Sequence, residues 1–321
     1  MSGILKYVVK RLLWAIPVLL GAALVAFMLV HLAPGDPVQL MLGEAATPEQ
    51  IDQTREELGL NDPLYVQFGT FVTDAVQGDL GQSISTRQPV SEQIMDRIPY
   101  TLQLAGVSMV ISLALAFPLG ILSATHKQGR IDSGSRLAAL LGISIPNFWL
   151  GIILILFVAV PISIFPLVGM TLITDDVIDG LLSTLLPAIA IGTALAALVM
   201  RILRGGITDE MNKGYVQTSR AYGIAESEIM YVHILKNAVL PTITVIGLQL
   251  GYLIGGSIII ETVFSIPGVG QLAINAIYAQ DFPIVQGVIL FVAVAFVAAN
   301  ILVDILYAYL DPRIQYDGGG Q

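Results

Sequence analysis

Residues 201–241 read RILRGGITDEMNKGYVQTSRAYGIAESEIMYVHILKNAVLP, a polar island between two long apolar runs, Thr184–Met200 and Ala238–Ile260. Five of the chain's fifteen cationic side chains lie in it: Arg201, Arg204, Lys213, Arg220 and Lys236. A loop between membrane spans that gathers positive charge belongs on the cytoplasmic side. Gly214 and Gly223 punctuate the island. The pattern predicts two short helices at a glycine joint, the second over Ile224–Leu235 with Ile224, Ile229 and Leu235 as apolar anchors. Such a pair suits a docking surface for a partner; an ordinary basic inter-helix loop is the plainer reading.

Composition fixes the class around this island. Of 321 residues 55% are hydrophobic and 12% charged, with mean hydropathy +0.80. A soluble domain carries roughly twice that charged fraction. Several apolar runs are long enough to cross a hydrocarbon core of about 30 Å. The chain is therefore an all-α polytopic membrane protein. It has no cysteine, which excludes disulfide and thiolate chemistry. Its lysines are followed by Tyr7, Arg11, Gln128, Gly214 and Asn237, so the Lys-Ser/Thr pair of a nucleotide phosphate loop is absent. The histidines (His31, His126, His233) fall on different faces and share no metal site. The sequence calls for no cofactor and no nucleic-acid partner, and it offers no catalytic constellation.

Taken in order, Lys6, Lys10 and Arg11 precede a first span, Leu12–Leu32, read as retained rather than cleaved because no small-residue site follows. Residues 34–98 form a long polar insertion that reads as helical. Thr47-Pro48-Glu49-Gln50 makes a capping box closed by Gly59, Asn61-Asp62-Pro63 starts a helix with Leu64, Phe68, Phe71, Val72 and Ala75 on one face, and Val90–Ile98 forms a third helix ended by Pro99. A second span covers Thr101–Ala124. A third covers Leu137–Val160 and is kinked by Pro146. A fourth covers Ser183–Leu203. A fifth follows the central loop, then a turn at Ser265–Gly270, an amphipathic segment Gln271–Ala279 and a last span from Ile284 to Leu310.

Charge orients these six spans. With both termini cytoplasmic, twelve of the fifteen cations lie inside, while the insertion holds eleven acids against Arg55, Arg87 and Arg97. The opposite orientation reverses the positive-inside rule. The division is then 1–33 for the N-terminal end and first span, 34–98 for the extracytoplasmic insertion, 99–310 for a core with its central loop at 201–237, and 311–321 for a cytoplasmic tail. So acidic an outer face fits exposure to high salt; exclusion of cations from that face, together with an acidic protein interface, accounts for it equally.

Ala221-x-Gly223, nine residues, His233-x-Leu235 and Leu240-Pro241 resemble the loop signature of binding-protein-dependent ABC importer permeases. The match is imperfect: Gln217-Thr218-Ser219 stands for Glu-Ala-Ala, His233 for Ile and Lys236 for Pro. Tyr215-Val216-Gln217-Thr218-Ser219-Arg220-Ala221-Tyr222-Gly223 is similar instead to the dipeptide/oligopeptide/nickel branch. Further pieces run from end to end, among them His31-Leu32-Ala33-Pro34-Gly35-Asp36-Pro37, Gly78-Asp79-Leu80-Gly81, Ser144-Ile145-Pro146-Asn147-Phe148-Trp149, Glu261-Thr262-Val263-Phe264 and Pro267-Gly268-Val269-Gly270. The long insertion resembles the B-type subunit. The resemblance implies a type I importer permease fold in the cell membrane, paired with a C-type permease, two cytoplasmic ATP-binding subunits and an extracytoplasmic substrate-binding protein. It implies peptides as substrate first, with nickel or sugars as minority options. It also implies that Gln217, Thr218, Ser219, Arg220, Ala221, Tyr222, Gly223, Ile224, Ala225, Glu226, Ser227 and Glu228 form the ATPase-coupling loop.

Other candidates rest on the residues alone. Asn147, Gln249 and Asn300 are polar groups in apolar runs that can line a translocation path or satisfy local hydrogen bonds. Gly247, Gly251 and Gly255 make a smooth stripe for close helix packing, within this subunit or on a partner. Glu261 and Asp304 are acids near span ends, read as interfacial or structural. The competing class is an ion-coupled secondary transporter, marked by internal repeats, broken midplane helices and buried charge. The strongly polar structure here lies at the membrane faces, which favours the importer permease.

Overall fold

Apolar runs bounded by charge become long helices: α1 (Ser2–Leu32), α5 (Val90–Thr125), α8 (Val177–Met211), α11 (Leu235–Gly256) and α14 (Phe282–Leu310). The computed structural model describes residues 2–32, 37–42, 46–57 and 59–310; the Ala33–Asp36 part of the first motif and the 311–321 tail lie outside them. Five helical stretches are long and apolar enough to cross a membrane, and a bent pair brings the number to as many as six. Among the described residues the only bridge between extended segments joins Gln82 to Pro89.

The bent pair corrects the expected third span. Instead of one kinked helix, α6 (Arg130–Ser144) and α7 (Asn147–Leu154), the latter continuing as a π-helical turn to Ala159, meet at 97°. Pro146 forces Ile145 out of the helical region, to ψ 122°, and then caps a new helix. Packing fixes the elbow from both sides. A Cβ on Gly142 meets Ala197 and Thr193 of α8 at 3.1 and 3.2 Å, and one on Gly151 meets Phe264 at 3.0 Å.

A second correction concerns the helix expected to end at Pro99. Val90–Ile98 is the opening of α5, which runs through Pro99 to Thr125. Val90 and Ile94 are buried against the Val269–Val288 region, while Met95, whose carbonyl the proline frees, is exposed. Tertiary packing outweighs the lost bond.

Elsewhere in the insertion α2 (Pro37–Leu42) is a helix that the sequence reading does not mark, whereas at α3 (Pro48–Glu57) the expected capping box forms: the Thr47 amide donates to Gln50 Oε1 at 2.9 Å and the Gln50 amide to Thr47 Oγ1 at 3.4 Å. Gly59 takes φ +64°. In α4 (Leu64–Val76), Phe68 and Phe71 turn onto Phe27 of α1, with ring centroids 5.5 and 5.9 Å apart, whereas Leu64 stays exposed.

At the centre stands α8, packed chiefly on α5. Small residues let the two backbones approach: a Cβ on Gly192 would lie 2.9 Å from the Ser108 carbonyl oxygen. Beyond α8 come α9 (Gly214–Ala221), the single turn α10 (Glu226–Glu228) and a π-helical stretch, Ile229–Ile234, that runs straight into α11. The expected separate helix Ile224–Leu235 is thus the entry of the fifth long helix, because Ile229 and Ile234 are buried in the cluster that also holds Leu203 and Ile207. After α11, α12 (Ile258–Val263) and α13 (Val269–Tyr278) form a compact segment before α14; α13 begins two residues earlier than its apolar face predicts.

Candidate functional site

The short helix α9 stands on one apolar foot. Val216 is fully buried beside Ile207, Ile229 and Ile234. The helix ends in a Schellman turn: the Gly223 amide bonds the Arg220 carbonyl at 3.0 Å and the Ile224 amide the Ser219 carbonyl at 3.2 Å. Gly223 holds φ +76°, a left-handed geometry that side chains resist, and the space where its Cβ would go is open. Across this joint Arg220 forms a fork to Glu226, Nε to Oε1 at 2.6 Å and Nη2 to Oε2 at 3.1 Å.

The remaining faces point outward. Gln217, Thr218, Arg220, Ala221, Tyr222, Gly223, Ala225, Glu226, Ser227 and Glu228 are exposed, Tyr222 to 82%, while Ser219 and Ile224 are half-buried. Glu210, at the end of α8, accepts from Lys213 Nζ at 2.5 Å and from the Tyr215 hydroxyl at 2.7 Å, which fixes where α9 begins. Burial holds the Tyr215 phenol above its ordinary value, so at neutral pH it stays a donor.

Behind α9 lies a cluster that local sequence signals did not reveal. Asp132, fully enclosed at the start of α6, accepts from Arg204 Nε at 2.9 Å, Arg204 Nη2 at 3.0 Å, Ser123 Oγ at 2.7 Å and the Gln128 amide at 3.0 Å. One acid in a basic turn was the available clue. It ties α5, α6 and α8 together at the end that carries α9.

The polar candidates in the long helices remain apart. Asn147 opens α7 at the elbow, Gln249 lies on α11 and Asn300 on α14; all three are half-buried. Asn300 Nδ2 donates to the Phe296 carbonyl at 2.8 Å, a bond within its own helix. The side chains of Asn147 and Gln249 make no hydrogen bond among the described residues. The glycine stripe faces α14 of the same chain: Cβ atoms on Gly247 and Gly251 would overlap Val303 and Phe296, and one on Gly255 would lie 2.9 Å from Val292. Asp304 pairs with Arg11 at 2.9 Å. Glu261 is fully buried and hydrogen-bonded to Thr101, Ser257 and the Gln271 amide.

A bundle of membrane-length helices with a braced loop helix at one end has the architecture of a transport permease. The solved inward-facing conformations of the MetNI methionine ABC transporter share this fold, at TM-score 0.58 and 17% identity over 68% of this chain and 96% of that one. A family model described as "Binding-protein-dependent transport system inner membrane component" matches residues 116–316, and its N-terminal counterpart matches residues 4–105. The oligopeptide transport system permease protein AppB of Bacillus subtilis is 40% identical over 97% of this chain and 99% of its own length. The dipeptide transport system permease protein DppB of Alkalihalophilus pseudofirmus is 38% identical over 97% and 100%, and the glutathione transport system permease protein GsiC of Escherichia coli O6:H1 is 39% identical over 97% and 99%. The chain belongs to the family of binding-protein-dependent transport system inner membrane components. It is a multi-pass permease subunit of the cell membrane.

Proposed function

We propose that this permease forms half of the translocation path of an ATP-driven importer of dipeptides or oligopeptides. In this reading six spans place both termini and the 201–237 loop in the cytoplasm and residues 34–98 outside. A second, C-type permease completes the path, two ATP-binding subunits dock on the loop and a substrate-binding protein delivers peptide to the outer face. Asn147, Gln249 and Asn300 are the polar groups assigned to the path. The peptide-transport names of the relatives support the substrate class. ATP hydrolysis belongs to the partner subunits. The ion-coupled alternative gains nothing from the buried acids, since Asp132 and Glu261 are each engaged by several donors.

One observation carries the coupling assignment: the glycine-capped joint at Gly223, braced by Arg220–Glu226 and surrounded by exposed side chains. Residues Gln217–Glu228 would enter a groove of the ATPase. Because open space surrounds the Gly223 Cβ position, Gly223→Ala costs only the left-handed backbone strain, about 1–2 kcal/mol. Gly223→Asp adds a charge that a snug groove rejects. In a reconstituted complex the aspartate variant should insert and pair with its partner permease yet lose substrate-stimulated ATP hydrolysis, while the alanine variant keeps most of it. Full stimulation by the aspartate variant would sink the docking assignment.

A further inference from the structure

The segment Glu261-Thr-Val-Phe…Pro267-Gly-Val-Gly is explained by neither the coupling loop nor the assigned path. Its centre is a carboxyl group with no exposure at all. Glu261 Oε1 accepts from the Thr101 hydroxyl at 3.0 Å and the Ser257 hydroxyl at 2.7 Å, and Oε2 accepts from the Gln271 amide at 3.0 Å. Thr101 Oγ1 in turn accepts from the Val269 amide at 2.9 Å. Two of the free amides at the start of α13 are therefore capped by side chains of α12 and α5, remote in sequence, rather than by a residue beside them.

The glycines of the motif make room for this carboxylate. A Cβ on Gly268 would land on it, and one on Gly270 would lie 2.9 Å from Oε2 and 2.7 Å from Ile258 Cα. The Glu261 carbonyl also takes the Ile266 amide at 2.7 Å, which closes the turn after α12. Around this point the segment reaches its neighbours: Phe264 touches Gly151 of α7, its carbonyl accepts from the Gly169 amide at 2.9 Å, and Ile266 is buried in the main core. One side chain thus joins α5, α12 and α13 in the segment that leans on α7, the 160s loop and α14 at the end of the bundle away from α9.

We infer that Glu261 is a positioning residue for transport: it clamps the Ser257–Tyr278 segment onto α5 and so holds the outer end of the path closed until the binding protein engages. The inference rests on the importer reading above. Loosening the clamp frees the segment without removing any residue of the coupling loop or of the assigned path.

The test uses the complete transporter in proteoliposomes, with Glu261→Gln, Gly270→Ala and Thr101→Val, which disturb the clamp from three directions. Glutamine keeps the shape and removes the charge: with its oxygen on the fixed Gln271 donor its nitrogen donates to the two hydroxyls, so charge-assisted bonds become weaker neutral ones. The readout is ATP hydrolysis per assembled complex without and with substrate-loaded binding protein, together with passive peptide efflux. The expected result is a several-fold rise in unstimulated hydrolysis and in efflux for all three variants, with α9 still able to drive the ATPase. Variants that assemble and keep the wild-type ratio of stimulated to unstimulated hydrolysis would overturn the inference. So would failure of all three to assemble, since Glu261 would then serve folding alone. A wild-type complex that binding protein does not stimulate would instead refute the importer reading.

Discussion

Replacing Asp132 by asparagine removes one charge and almost no volume, so it isolates what the buried carboxylate contributes. Four donors converge on it, two from the Arg204 guanidinium and one each from Ser123 and the Gln128 backbone. An amide must point its nitrogen at some of them, and the Gln128 amide cannot rotate away. Hydrogen bonds to a charged group are worth about 1.5–3 kcal/mol each, and stranding one partner of a buried pair costs about 3–5 kcal/mol. The Arg204 side chain keeps 21% of its exposure, so water recovers part of that loss. Arg136, 57% exposed and 3.5 Å away, adds little. The expected destabilisation is therefore at the low end, about 3 kcal/mol. Equilibrium unfolding in mixed micelles of Asp132→Asn, Arg204→Gln and the double variant measures it, and the cycle should show a coupling of about 2 kcal/mol. An asparagine variant within about 0.5 kcal/mol of wild type would refute the reasoning, because that is the range of an unremarkable surface change. So would strictly additive single losses. Salt should change the result little, since the pair is shielded from bulk ions.

Two further outcomes follow from packing and titration. Gly247→Ala drives a methyl group into Val303 and should cost about 1–3 kcal/mol by overpacking, with Val303→Ala restoring most of the loss in the double variant; unfolding midpoints of the three proteins decide it. Burial pushes the Asp281 carboxyl up, but donors from Ser83, Ser85 and Ile84 outweigh it and hold it below its ordinary value. A carboxyl lowered on folding stabilises above its unfolded value and loses that contribution as pH falls through its folded value. The latch between residues 83–85 and Asp281 should thus hold at neutral pH and release only below the ordinary aspartate range. Amide exchange at Ile84 and Ser85 against pH should show that step in wild type and not in Asp281→Asn.

Much of the fold could be read from runs and punctuation because those are local. Thr47 and Gln50 make their capping box, Gly59 and Gly223 adopt the left-handed turn their positions call for, and the long apolar runs other than the third become long helices. What escaped was set at a distance. The break at Ile145–Pro146 has a local cause, but its 97° angle comes from Gly142 on α8 and Gly151 on Phe264. Pro99 carries a helix-ending signal that the burial of Val90 and Ile94 overrides. The second loop helix lost its independence to Ile229 and Ile234, which draw it into α11. At the candidate site the exposed loop helix and its joint at Gly223 were legible from a short motif. Thr101 and Glu261, 160 positions apart, carry no local mark of their meeting.

Three of the buried acids, Asp132, Glu261 and Asp281, share a logic once their partners are set side by side. Asp132 binds Ser123 near the end of α5, and Glu261 binds Thr101 on the same helix, 22 residues earlier by the numbering of the chain. Asp281 binds Ser83 and Ser85 just ahead of its first turn. A helix of 36 residues spans about 54 Å, enough to pass from one end of the bundle to the other. Each loop-bearing end is therefore fastened to one rod: α6 and α8 through Asp132, the α12–α13 segment through Glu261, and the junction of α13 with α14 through Asp281 and the chain that leads into α5. Pro118, which removes a backbone bond, is the one interruption of α5 between Thr101 and Ser123. A movement of α5 that starts at the α9 end must bend there or carry the Glu261 clamp with it.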